Sequence, residues 1–529
     1  MNIMTLDAFL EHEAFNALDC QFARRIAGEA AQGSKLAGHA AAIASVMLRH
    51  GHLCAVLDEP PNLGGEPPPL MNEWPSLDRW RDDLMASGVV AEDGDTFLPL
   101  VLDAQGRLYL HQYFEYERLL AKAIRERIID RRFRVIVGGP GTGKTTRILS
   151  ELVERQARNP TPRIALAAPT GKAAYRMEES IRAGAPDLPK TASTLHRLLG
   201  SRGDSAFFKH HTENPLTEDV VIVDEASMVD LPLMSKLLDA LKPSAELLLV
   251  GDPDQLASVE AGAVLADITE AAQSSVGGSI PLGSALLRLK TQYRYDTESG
   301  IGQLCEAIRR GDGDRAVSIL TESRFKDIRL RPLPSRDSLD NALRQARVID
   351  CLRQAFALDD PEKIISALGL ARVLCPFRQG PYGIEAINSL IAAVLQVKER
   401  LEPIVLTKND HALQLFNGDS GVIMKDSGKG ESWAWFQGSG TSYLKIPAIR
   451  LPLYETAYAM TVHRSQGSEF DRVLIILPPG QHPVMTRELL YTATSRAKRD
   501  VEIWGDPQTL RDACSRRIKR YSGLIDRLR

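Results

Sequence analysis

The chain has 529 residues, too many for one ordinary core, and length alone suggests about three or four domains. Its 44% apolar and 25% charged residues are those of a globular protein, and a net charge of −3 excludes a global basic field, so any polyanion site must be a local groove. The six cysteines form no C-x-x-C pair or metal-ligand spacing, the first residues carry Asp7, Glu11 and Glu13, and no run of 18 apolar residues occurs; reduced thiols, no membrane span and a cytoplasmic location are expected.

Residues 1–118 read as helix-rich, with one long Ala-rich helix from Phe22 to Arg49 and a Pro/Gly linker from Glu59 to Pro75. From Arg134 short apolar strands alternate with helices: Val135–Val137, Ile164–Ala168, Val220–Val223 and Leu247–Val250. Such alternation predicts a parallel sheet covered by helices, an α/β fold. A second set, from Ala371, shows clearest at Val373–Cys375 and Val473–Leu477. Between them Pro403–Pro452, rich in Gly, Ser and alternating apolar residues, reads as a small β-barrel insertion.

The first strand runs into Gly138, Gly139, Pro140, Gly141, Thr142, Gly143, Lys144, Thr145 and Thr146, a G-x4-G-K-T phosphate loop with strand before and helix after. Glycines let backbone N–H groups turn inward around phosphates, Lys144 reaches the β and γ phosphates, and the Thr145 hydroxyl suits Mg²⁺. ATP and Mg²⁺ are the expected cofactors. The strand Val220–Val223 ends in Asp224 and Glu225, which read either as a solvated turn or, beside a phosphate loop, as a Mg²⁺ holder and a residue orienting the attacking water. Gln255, after Leu247–Val250 and Gly251-Asp-Pro-Asp, reads as a γ-phosphate sensor or as a plain turn residue.

Further motifs follow in order: Ala168-Pro-Thr-Gly-Lys-Ala-Ala174, Gln292-Tyr-Arg294, Thr461-Val-His-Arg-Ser-Gln-Gly467 and Leu490-Tyr-Thr-Ala-Thr-Ser-Arg-Ala497. With those above, the series from about residue 134 to 506 resembles superfamily 1 helicases. Ser193-Thr-Leu-His196, Val373-Leu-Cys-Pro376 with Gly383 and Asn388, Lys408-Asn-Asp410 and Phe416-Asn-Gly-Asp419 bring it closer to the RecD family, the alpha subunits of exodeoxyribonuclease V.

The resemblance implies two RecA-like motor domains, 119–330 and then 331–402 with 453–529, a helical partner-docking domain at 1–118, and an SH3-like barrel at 403–452. It implies catalytic roles for Lys144, Glu225, Gln255, Arg294 and Arg496, with both arginines acting on the γ-phosphate, and it adds Gly467 to the nucleotide contacts. Pro169, Thr170, Lys172, His196, Asn409, Asn417, Thr461, His463, Ser465 and Gln466 match positions that line a single-strand channel. Taken singly, each reads as well as a cap or structural residue.

An ATP-dependent helicase moving 5′ to 3′ on single-stranded DNA is thereby implied, acting on duplex ends beside RecB-like and RecC-like subunits, with a stand-alone helicase without nuclease partners as the alternative. A P-loop switch or kinase has no need of a second α/β unit carrying its own arginine finger, and an idle scaffold has no need to keep Lys144, Glu225 and Arg496. No acidic cluster with a catalytic lysine stands outside the motor, so nuclease work falls to a partner. Three departures from the family pattern stand out: no clear adenine-reading glutamine precedes the phosphate loop, Ala257 replaces a usual proline, and Ser495 a usual threonine.

Overall fold

The computed structural model describes residues 3–61, 74–158, 162–184, 191–201, 205, 207–274, 282–291, 293–295, 299–322, 324–396, 401–408, 410, 413, 415, 417–425, 431–437, 443–480 and 482–529. The Ala-rich segment forms two helices rather than one. Ala17–Glu29 stops where Ala30 turns extended, Gly33 takes φ +132°, and the chain reverses into Ala37–Arg49. Asn16 and Asp19 close a reciprocal capping box at the first helix start, with Asp19 N donating to Asn16 Oδ1 at 3.0 Å and Asn16 N to Asp19 Oδ2 at 2.9 Å. Reversal lets the alanine stripe bury itself, and a Cβ at Gly38 would stand 2.9 Å from that of Ala27, so the helix pair leaves no space there for a side chain.

The helices pack on a small four-stranded sheet, Ala55–Val56, Arg107–Leu110, Leu100–Leu102 and Val90–Ala91 in spatial order, which the helix-rich reading did not anticipate. Strands of two to four residues are too short for period-2 alternation to show. Much of the expected Glu59–Pro75 linker lies outside the described residues. Helix His111–Ile129 runs across the expected boundary at 118 into the first motor sheet.

That sheet is parallel throughout, in the order Leu286–Arg288, Phe133–Val137, Glu246–Gly251, Val220–Val223, Ile164–Ala168 and Ala192–Thr194. Parallel strands end at one edge, so the phosphate loop, Asp252, Asp224 and Pro169 emerge side by side although more than a hundred residues separate the first from the last in sequence. The second sheet is also parallel, ordered Ile328–Arg331, Ala497–Trp504, Phe470–Ile476, Ala371–Cys375 and Ala459–Thr461. Helices Gly300–Arg310 and Gly313–Thr321 belong to this second unit, because Leu304, Ile308 and Ile319 pack with Val473, Ile475 and Leu510. The chain therefore changes domain before residue 300, ahead of the expected boundary at 330.

The insertion is a five-stranded antiparallel sheet in the order Tyr443–Pro447, Ser432–Gln437, Ser420–Lys425, Leu401–Leu406 and Tyr454–Thr456, slightly wider than 403–452. Ala434 and Phe436 point inward with Ile404, Leu406, Leu415 and Ile446. Trp433 and Trp435 alternate to the other face, where the Lys445 ammonium stands 4.4 and 5.1 Å from their ring centroids. Trp435 packs against the second motor core and so helps seat the insertion on it.

After helix Pro507–Ser515 the chain leaves the second motor and returns to the first. Arg520 donates to the carbonyls of Gly262 at 2.6 Å, Ser258 at 2.7 Å and Glu260 at 2.8 Å, while Leu524 and Leu528 bury themselves in the first motor core. Glu117, fully buried, accepts from Arg527 Nε at 2.8 Å and Gly523 N at 2.9 Å. Glu117→Ala strands both donors and is expected to destabilise the fold by on the order of 3 kcal/mol. A thermal unfolding midpoint equal to wild type would show that these residues do not anchor the tail.

All six cysteines are free thiols. Among the described residues no helix is long and apolar enough to cross a membrane.

Candidate functional site

The phosphate loop is held open by two glycines in the left-handed region, Gly141 at φ +77° and Gly143 at φ +80°. A side chain at Gly141 would meet Arg294 Cβ at 2.2 Å, so only glycine admits the arginine there. Helix Lys144–Arg158 begins immediately afterwards, pointing its unpaired N–H groups and positive end at the loop. Lys144 Nζ curls back to donate to Gly138 O at 2.7 Å and Gly139 O at 3.0 Å. Pro140, Gly141, Gly143, Lys144, Thr145 and Thr146 line a cavity of about 380 Å³ whose other walls are Arg176, Asp224, Glu225, Gln255, Tyr293, Arg294, Glu469 and Arg496. Gly138, Gly139 and Thr142 face a neighbouring cavity of about 1170 Å³ with Asp252 and Tyr491.

Glu225 N donates to Asp224 Oδ1 at 2.8 Å, and Glu225 itself sits at φ +51°. A left-handed glutamate costs about 1–2 kcal/mol, a local strain that turns its carboxylate into the cavity instead of along the strand. Burial and the adjacent Glu225 push Asp224 up to about 6, against the pull of Lys144. A cation between the phosphates and Asp224 would relieve that cost, so this donor set suits a hard divalent ion.

The opposite wall comes from the second motor. Arg496, buried, donates from Nη2 to Gln255 Oε1 at 2.7 Å and from Nη1 to Ser468 O at 3.2 Å. Gln255 Nε2 in turn donates to Asp252 Oδ2 at 3.0 Å, which also accepts from Tyr491 OH at 3.1 Å. Two more links join the domains beside it: Leu256 N to Thr492 Oγ1 at 2.9 Å, and Gln466 Nε2 to Leu256 O at 2.7 Å. Arg294 pairs through Nη2 with Glu469, and its Nη1 is buried with no partner among the described residues. Burial alone would raise Glu469, but Arg294, Arg176, Lys498 and Arg496 outweigh it and hold the carboxyl down at about 2.

Residue Gly467 does not join this wall. At φ +67° it packs on the start of helix Gly171–Gly184, where an added Cβ would lie 3.6 Å from Ala173 Cβ and 3.7 Å from Thr170 Oγ1. Two residues on, Glu469 lines the cavity where Gly467 was expected. Arg176, Tyr293, Glu469, Asp252 and Tyr491 were all missed in sequence. Asp252, Tyr293 and Tyr491 all lay within the motifs above, and the exposure of Tyr293, 75%, beside the loop marks it as a free aromatic face.

On the strand-facing side, Pro169 and Thr170 end the strand Ile164–Ala168, and Thr170 Oγ1 accepts from Ala173 N at 3.2 Å, capping the next helix. His196 is exposed, its ring 5.8 Å from that of Phe208. Thr461 is buried and accepts from Arg464 N at 3.4 Å, while His463 is half-buried. Ser465 and Gln466 turn inward: Ser465, with no exposed surface, donates to Val462 O at 2.7 Å, and Gln466 is spent on Leu256. Gln466 thus ties the motors together, and the Ser465 hydroxyl is spent within its own turn. Asn417 is exposed in the turn ahead of Ser420–Lys425; Asn409 lies outside the described residues, as does Gln292.

Two parallel-sheet units facing each other across a phosphate loop, with arginine supplied from the far unit, define an ATP-dependent helicase. Family models agree along the chain: the N-terminal domain of RecBCD enzyme subunit RecD matches residues 11–109, an AAA domain 121–261, and a UvrD-like helicase C-terminal domain 456–503. RecBCD enzyme subunit RecD of Mycolicibacterium smegmatis is 36% identical, covering 99% of each chain. That of Haemophilus influenzae is 33% identical over 74% of this chain and 69% of its own. An ATP-dependent RecD2 DNA helicase of Deinococcus radiodurans is 32% identical over 77% and 52%. Among solved structures, Bacteroides Pif1 bound to single-stranded DNA covers 74% of this chain and 93% of its own at 18% identity and a TM-score of 0.40. The chain belongs to the RecD family.

Proposed function

We propose that this helicase couples ATP hydrolysis to 5′-to-3′ movement on single-stranded DNA as the alpha subunit of a helicase–nuclease, with RecB-like and RecC-like partners, acting at duplex ends produced by double-strand breaks. Residues 1–118 form the partner-docking part, and the nuclease resides in a partner. The observation that supports this reading is the hydrogen-bonded chain from Arg496 through Gln255 to Asp252, beside the bond from Gln466 to Leu256, which links the nucleotide cavity to both motors across the cleft.

Thr145 and Asp224 would hold Mg²⁺, which when bound supplies charge neutralisation on the β and γ phosphates. Lys144 releases its loop carbonyls for phosphate oxygens, and Glu225 orients the attacking water. Charge developing on the transferred group is met by Arg496 and by the unpartnered Nη1 of Arg294. Gln255, bonded to Arg496, reports which phosphates are present. Tyr293 offers its ring to the base.

The strand passes Pro169, Thr170, His196, Thr461 and His463, with Asn409 and Asn417 of the insertion steadying it. Lys172 stands in the adjoining cleft, where burial, Arg176 and Arg372 hold its ammonium down at about 7 and Asp419 pulls the other way. A polyanion favours the charged amine, so binding takes up a proton and weakens as pH rises through 7. Single-stranded DNA is expected to bind several-fold less tightly at pH 8.5 than at 6.5, and Lys172→Ala should flatten that profile. A profile unchanged by the substitution removes Lys172 from the interface.

Strand displacement on 5′-tailed and 3′-tailed duplexes, by the chain alone and with partner subunits, tests the whole reading. Displacement of the 5′-tailed substrate is expected; ATP turnover indifferent to DNA, with no displacement in any combination, would overturn it.

A further inference from the structure

Arg176 lies on helix Gly171–Gly184, one turn beyond Lys172, and lines the nucleotide cavity. Residues four apart share a helix face, and both also line the cleft of about 460 Å³ between the two motors and the insertion. The basic groups around it are engaged: Lys144 with loop carbonyls, Arg496 with Gln255 and Ser468, Arg294 with Glu469. Arg176 differs. Its guanidinium carries five N–H donors, yet among the described residues it makes no hydrogen bond, and its one ion pair is a loose 3.9 Å to Glu469.

Glu469 cannot satisfy it, being shared with Arg294 and with Lys498 at 3.4 Å. Only 34% of the Arg176 side chain remains exposed, so the charge is largely desolvated with its donors unspent. Burial accordingly lowers its pKa, and Arg294 and Arg496 nearby lower it further while Glu469 and Glu225 oppose them. Such a cation beside a phosphate loop is completed by an anion, and a planar fork suits phosphate oxygens.

We propose that Arg176 binds the γ-phosphate of ATP as a third arginine, supplied by the helix that Thr170 caps, so that one rigid element carries both strand-facing and nucleotide-facing groups. The inference rests on the nucleotide-site reading above and deepens it. When the γ-phosphate is present, Arg176 draws helix Gly171–Gly184 toward the loop, and Thr170 and Lys172 move with it. Nucleotide state is thereby felt by the strand through the first motor's own helix, in addition to the contacts that cross the cleft.

Binding of AMP-PNP and of ADP, both with Mg²⁺, to the full chain and to Arg176→Gln and Arg176→Lys tests this. For the glutamine variant AMP-PNP is expected to weaken about tenfold or more while ADP stays within about twofold, with the lysine variant between. ADP affinity doubles as the folding control. At saturating AMP-PNP the wild-type affinity for an oligothymidylate should also shift, and that shift should shrink at least twofold in Arg176→Gln, the remainder passing through the contacts that cross the cleft, since coupling between two ligands is reciprocal. Unchanged AMP-PNP affinity, or equal loss for both nucleotides, overturns the γ-phosphate contact. An undiminished shift at saturating AMP-PNP, despite weakened AMP-PNP affinity, overturns the helix link. Wild-type protein binding neither nucleotide would instead defeat the site reading from which the proposal starts.

Discussion

Arg496→Ala is expected to lower DNA-stimulated ATP turnover by roughly 10³–10⁵-fold, the range over which arginine fingers act, while AMP-PNP affinity falls far less. The reason lies in timing: charge grows on the transferring phosphoryl group in the transition state, and a guanidinium fixed by Ser468 O, Thr492 O and Gln255 Oε1 needs no rearrangement to meet it. Arg496→Lys keeps charge but loses the fork and should recover little. Because truncation also leaves the Gln255 oxygen without its donor, the contact between motors should loosen, visible as a lower unfolding midpoint. Equal losses in turnover and analogue affinity would recast Arg496 as a ground-state ligand.

Lys144→Ala should bring hydrolysis down by on the order of 10³-fold or more, by deleting the one side-chain cation of the loop itself. Stability is expected to change little. Lys144 Nζ reaches only the carbonyls of Gly138 and Gly139, and alanine is a good opening residue for the helix Lys144–Arg158. ATPase assays with single-stranded DNA, alongside thermal melts, settle both halves. Turnover near wild type would mean that phosphate charge is met elsewhere.

Much of this site could be read from the chain because its parts are local. A strand, a glycine loop and a helix start occupy consecutive residues, and Asp224 with Glu225 closes an apolar run; covalent order alone puts those groups at sheet edges. Arg176 and Glu469 were invisible for the opposite reason. Each is one charged residue among many, and only the approach of two domains makes Glu469 the shared partner of Arg176, Arg294 and Lys498. Gln466 misled for the same reason, since a polar residue in a DNA-binding motif looks alike whether it faces a strand or bonds Leu256 O across the cleft, and Ser465 because its hydroxyl turns back to Val462 O in its own turn. The N-terminal fold suffered from length: its strands are too short to alternate, and a single left-handed glycine, Gly33, turned one expected helix into two.

The returning tail constrains how the motors can cycle. The second motor is joined to the first by the chain that enters it near residue 300 and again by the segment that leaves it after Ser515, pinned through Arg520, Ser522 and Glu117. A body fastened at two separate points keeps one easy rotation, about the line through them, and loses the twisting and sliding that a single linker permits. Opening and closing should therefore follow a fixed path like a door on two hinges, and freeing the tail would give the enzyme wasted strokes: ATP turned over without a corresponding advance along the strand.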